Sequence, residues 1–161
     1  MNSIFDPDLS GTGHQPLGHD QWATFYNRYR VFKVSYVISM STQTGYQNTL
    51  CLLPSNDSSV FTSTETMCEQ PRAMMKQTSG QGDAIQFKGH VIPSRITGVK
   101  PSVYKSDDRY QAVFGASPAE QILLHIGHWS SLYGTQDTHS FLNITLVYHT
   151  ELFDPKPIGS S

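Results

Sequence analysis

The sequence predicts an all-β fold, a β-sandwich or jelly roll. Three observations point there. Strand-like segments recur at residues 30–41, 46–53, 84–92, 121–130 and 141–153, stretches rich in Gly, Pro, Ser and Asp separate them, and no strand–helix–strand rhythm of a parallel sheet appears. The 161 residues suit one domain: an N-terminal segment and loop over 1–19, the sandwich, and an extended tail over 154–161.

The elements follow in chain order. A Gly/Pro/His loop leads to Asp20, whose carboxylate is suited to cap a helix by accepting from free first-turn N–H groups. Trp22, Phe25, Tyr26 and Tyr29 then fall at i, i+3, i+4 and i+7, which predicts a helix of about two turns with one apolar face. From Arg30 the period becomes two. Phe32, Val34, Tyr36, Ile38 and Met40 alternate with Lys33, Ser35, Ser39 and Ser41, predicting a strand buried on one face and roughly 40 Å long. A strand over 46–53 is expected to stop at Pro54, a Ser/Thr/Asp loop covers 55–64, and a helical turn is expected around Thr66–Glu69. Residues 72–78 carry a weak strand pattern. Ile85, Phe87 and Val91 alternate with Gln86, Lys88 and His90 in a clearer one. Residues 93–119 contain three prolines and two glycines, so they read as loop with one short strand near Tyr110–Phe114. Strands at 121–130 and 141–153 close the fold. In the last, Leu142, Ile144, Leu146, Tyr148 and Leu152 share one face, and the tail with Pro155 and Pro157 is expected to leave the sheet.

Composition narrows the function. Charged residues make up 15% of the chain and the net charge is −2, so charge alone announces no nucleic-acid binder. No apolar run approaches the roughly 18 residues of a membrane span. Cys51 and Cys68 lack metal-ligand spacing and read as small, semi-buried thiols. His125 and His128 lie three apart on a predicted strand, so they point to opposite faces and cannot share a metal. His14 and His19 sit in the loop before the helix, where hydrogen bonding is the expected role. Gly11-Thr12-Gly13 neither follows a strand nor opens a helix as a phosphate loop requires, and no nucleophile elbow occurs. The sequons at Asn56 and Asn143 read as accidental. No catalytic residue, cofactor site or metal site is therefore expected. Arg28, Arg30 and Lys33 cluster beside Tyr26 and Tyr29, a combination able to contact phosphates and stack on bases, and they are the candidate nucleic-acid-binding residues.

The segment DPDLSGTGHQPLGHDQWATFYNRYRV (6–31) resembles the signature block of capsid proteins from circular, Rep-encoding single-stranded DNA viruses, the circovirus-like group. The resemblance continues through Glu69-Gln70-Pro71, FKGHVIPSRITGVK (87–100), DDRYQAVFGASP (107–118) and YHTELFDPKP (148–157). It implies a viral jelly roll of two facing four-stranded antiparallel sheets with short helices in the loops. It further implies a structural, non-enzymatic subunit that self-assembles as a homo-oligomer into an icosahedral shell around viral single-stranded DNA. Binding to that genome would be non-specific, and the protein would be found in virions and in the host nucleus during assembly. The residues name no host receptor. Members of the group carry a basic arm and a first strand ahead of the segment that here reads NSIFDPD. The first strand is thus expected to be missing or reduced to Asn2–Phe5, with the basic part upstream. Residues 141–153 would then present unpaired backbone beside an apolar face, a template for association between chains. The contending functions are a jelly-roll carbohydrate- or receptor-binding module using aromatics such as Trp22, Trp129 and Tyr133, and a cupin-like metalloenzyme. The latter would need converging His/Glu ligands, for which no compact box exists.

Overall fold

The computed structural model describes residues 1–8, 14–43, 45–59, 61, 63–80, 82–130 and 139–157. Tyr133, Gly11-Thr12-Gly13 and most of the 131–140 loop lie outside them. The fold is mostly β, with two antiparallel sheets. β1 (Tyr26–Thr42) is flanked by β4 (Ala84–Val91) and β5 (Ala112–Val113), and β7 (Ser140–Pro155) also pairs with β1. The second sheet has the order β3 (Met74–Gln77), β2 (Asn48–Ser55), β6 (Leu123–Ser130). Among the described residues the sheets hold four and three strands, where four and four were expected. The chain divides into two compact units, residues 1–34, 91–123 and 148–161 in the first and 35–90 and 124–147 in the second.

The first unit corrects the expected helix. α1 covers only His19–Ala23; its N-cap is Gly18 at φ 85°, with no side-chain cap, and Asp20 instead takes Nδ1 of His19 at 2.9 Å. Tyr26 and Tyr29 belong to β1. The helical spacing of the four aromatics loses to sheet pairing, because Arg28 and Tyr29 stand opposite Val113 and Ala112 of β5. Tyr29 is fully buried, and its hydroxyl donates to the Ala116 carbonyl at 2.7 Å. Residues 1–8 form no strand. Met1–Ile4 are buried, and the Asn2 side chain takes the place of a ladder, donating to the Glu120 carbonyl at 2.7 Å and accepting from Ile122 N–H at 2.8 Å.

Residues 93–119 are more ordered than a loop. α3 (Pro93–Thr97) and α4 (Pro101–Ser106) each begin with proline at the first turn, where a missing N–H costs nothing, and α3 stops at Gly98 with φ 73°. A 3-10 turn, Asp108–Tyr110, follows. Tyr104 donates to the Val31 carbonyl at 3.0 Å and stacks on Tyr110 with ring centres 4.6 Å apart. β7 runs to Pro155, beyond its expected end, and Lys156 then clasps the strand entrance. Its N–H donates to the Phe25 carbonyl at 2.8 Å and its Nζ to the Ala23 carbonyl at 2.7 Å.

In the second unit the predicted alternation holds: Tyr36, Ile38 and Met40 are buried. Phe32, expected with them, lies in the first unit and is exposed, its ring 6.2 Å from that of His149. β2 runs through Pro54 because β3 pairs only with Thr49–Leu52, so the proline removes no β2–β3 hydrogen bond. β2 is buried on both faces. Cys51 and Leu53 pack with Met67 of α2 (Thr64–Cys68) against Phe61, Cys68, Ala73 and Trp129. Leu50 and Leu52 point the other way, and Met74, opposite Leu52, receives the Tyr36 hydroxyl at 3.6 Å, so the two sheets face one another within this unit. Ser63 caps α2 by accepting from Thr66 N–H at 3.2 Å. β4 approaches Tyr36 so closely that a Cβ at Gly89 would lie 2.7 Å from its hydroxyl.

Candidate functional site

The three basic residues lie on β1, not at a helix–strand junction, and they do not form a patch. Arg28 and Arg30 share one face of the strand and Lys33 belongs to the other. Arg28 and Lys33 are half-buried. Arg30 is buried: it donates to Glu151 Oε2 at 3.2 Å and to Gln111 Oε1 at 3.0 Å, and its guanidinium lies 4.9 Å from the Phe153 ring centre. Glu151 also takes Lys105 Nζ at 3.1 Å. The sequence offers Arg30 to phosphate, whereas the structure commits it to the half-exposed Glu151 carboxylate and an aromatic face.

Several other titratable side chains are engaged in structure. His19 is buried between Phe5 and Phe114, with ring centres 6.3 and 5.2 Å away. His125 Nε2 meets the Asp57 carbonyl at 2.9 Å, and its ring stands edge-on to Phe61 at 5.1 Å. His128 is exposed on the opposite face of β6. Cys51 and Cys68 are free thiols; burial, with Cys68 adding to it, pushes the Cys51 thiol up to about 12. Arg109 donates to both Asp107 oxygens from Nε at 3.1 Å, and this holds the Asp107 carboxyl below the usual carboxylate range. No group of three or more His, Cys, Asp or Glu among the described residues is arranged to hold a metal ion.

No protein-family model, no curated protein and no solved structure matches the chain. Function must therefore be argued from the arrangement itself.

Over its first half, β7 exposes apolar side chains on both faces, Phe141 and Val147 on one, Leu142 and Ile144 on the other. Of the predicted buried face, Leu142 and Ile144 are exposed there and Leu146 is only half-buried. The signal was present, since 140–148 holds no Asp, Glu, Lys, Arg, Pro or Gly, but alternation tells which residues share a face and not whether anything covers it.

Proposed function

We propose that this chain is a structural capsid subunit with a jelly-roll fold, assembling as many copies into an icosahedral shell around a small single-stranded DNA genome. One observation carries the proposal: segments that bear the resemblance, far apart in sequence, meet in the first unit. Phe114 N–H, from the 107–118 segment, donates to the Asn27 carbonyl in 6–31 at 3.1 Å, and Arg28 stands opposite Val113. Arg30 joins Gln111 to Glu151 of 148–157, and Lys156 closes on Phe25. Motifs that share a contact network are expected of a scaffold, where they fix geometry, more than of a catalytic centre, where they would converge on a ligand.

The two antiparallel sheets support the same reading, with the segments 54–71 and 93–110 as candidates for subunit contacts. Genome contact would be sequence-independent and salt-sensitive, with Arg28 and Lys33 as the candidates left on β1 after Arg30 is internalised. Charge reversal of these two should release packaged nucleic acid without unfolding the subunit. The deciding experiment is negative-stain electron microscopy of the expressed chain with single-stranded DNA. Uniform small spheres that protect the DNA from nuclease are expected; monodisperse subunits at every salt concentration and pH would overturn the assignment. A second reading, a carbohydrate- or receptor-binding module, is favoured by the exposed side chains of Leu17, Trp22 and Phe25. Glycan-array binding abolished by Trp22→Ala would select it.

A further inference from the structure

We propose that residues 141–147 of β7 form a homotypic interface, in which a second copy of the chain adds its own β7 antiparallel across a two-fold axis at Ile144. Three observations converge. First, β7 pairs with β1 and with no other strand among the described residues, so its outer edge is open to strand addition. Second, both faces are exposed over this stretch: Phe141 at 64% and Val147 at 53% on one, Leu142 and Ile144 each at 43% on the other. None of the usual edge protections, charge, proline or bulge-forming glycine, occurs between Ser140 and Tyr148.

Third, the polarity of Phe-Leu-Asn-Ile-Thr-Leu-Val is close to a palindrome. With the axis at Ile144, Leu142 opposes Leu146, Asn143 opposes Thr145, Phe141 opposes Val147, and Ile144 meets itself. Opposed residues share a face in an antiparallel pair, so like meets like on both faces. Moving the axis by one residue sets Phe141 against Thr145 or Asn143 against Val147, and a half-residue step toward the N-terminus sets Leu142 against Thr145 and Asn143 against Ile144. This self-complementarity selects a second copy over an unrelated strand and selects one register. A two-fold contact is closed, so it yields dimers and not filaments. The pairing stands on β7 alone and does not require the shell.

The test uses the full chain with Cys68 replaced by Ala; Cys51 is buried and stays. Sedimentation velocity over the micromolar range should show a dimer. Thr145→Lys, at an exposed position, should raise its dissociation constant roughly tenfold or more by placing like charges near the axis. Far-UV circular dichroism checks that the variant folds. A short bismaleimide should link Ile144→Cys chains to each other. It should link Phe141→Cys to Val147→Cys only when the two variants are mixed, because like positions would lie about 20 Å apart. A chain that stays monomeric, a dimer indifferent to Thr145→Lys, or a dimer without the Ile144 cross-link would each overturn the proposal. Shell particles lacking that cross-link would overturn the pairing while leaving the capsid reading intact. Cross-linked dimers that never form particles would support the pairing and count against the shell.

Discussion

Glu151→Ala should destabilise the protein far more than Arg30→Met, although the two residues form one ion pair. The asymmetry follows from burial. The Arg30 side chain is 8% exposed, Glu151 is 39% exposed, and Glu151 keeps a second cation, Lys105, at 3.1 Å. Breaking a fully buried pair by removing one partner costs about 3–5 kcal/mol, because the survivor is a buried, uncompensated charge. The half-open carboxylate is screened by water, which lowers that figure, so about 2–4 kcal/mol is expected for Glu151→Ala. Gln111 would remain as a neutral acceptor for Arg30, and Nε of Arg30 already has no hydrogen-bond partner. Arg30→Met, by contrast, keeps a long apolar stem against Phe153 and leaves Glu151 to water and Lys105. Its cost should be about 1 kcal/mol or less. The double variant should behave like Arg30→Met, so that the second substitution rescues the first. Urea denaturation with linear extrapolation measures all three, and the double-mutant cycle isolates the coupling. In melting temperature the loss at Glu151 corresponds to roughly 6–12 °C for the middle of the range. An Arg30→Met variant as unstable as Glu151→Ala would refute the reasoning.

Three further outcomes are expected. Gly89→Ala should cost about 1–3 kcal/mol, because the new methyl meets the stiff Tyr36 ring, whereas Gly127→Ala should cost less than about 1 kcal/mol, because the atom it meets, Met67 Sδ at 2.8 Å, belongs to a flexible side chain; paired urea titrations compare them. In native protein at mildly alkaline pH, a maleimide should modify Cys68 well before Cys51, whose thiol is pushed up to about 12 and becomes reactive only on unfolding, as peptide mapping would show. Asp107 has a depressed carboxyl, so its contribution to stability is fully present above the ordinary carboxylate pKa near 4 and is lost as pH falls through the lower folded value. Asp107→Asn should accordingly reduce the acid sensitivity of the urea midpoint below pH 4 and leave its slope at neutral pH unchanged.

The strand pattern was legible where burial follows the period of two on one face, as along Tyr36, Ile38 and Met40. It failed where two periods fit the same residues. Tyr26 and Tyr29 satisfy a helical stripe begun at Trp22, and only the pairing of Tyr29 with Ala112, more than eighty positions away, decides for the strand. Pro54 misled for a related reason, since whether a proline breaks a strand depends on whether its neighbour needs the N–H. The short helices at Pro93 and Pro101 have helix-start prolines that the sequence displays, but the same residues punctuate loops, and spacing alone does not separate the two. Of the candidate site, Arg30 shows the limit most clearly. Its charge is visible in the sequence, but its carboxylate partner lies 121 residues along the chain.

The division into units has a consequence for how the chain is made. Residues of the first unit bracket those of the second twice, so neither can be excised as a continuous fragment. The clasp between Lys156 and the carbonyls of Ala23 and Phe25 cannot close until residue 156 has been synthesised. Until then the entrance of β1 and the Arg30 guanidinium wait without their C-terminal partners. Contacts so distant in sequence make for slow folding, because the entropy of closing the loop is lost before the contact returns anything. Completion of the first unit therefore waits on residue 156, the last of these partners to be made.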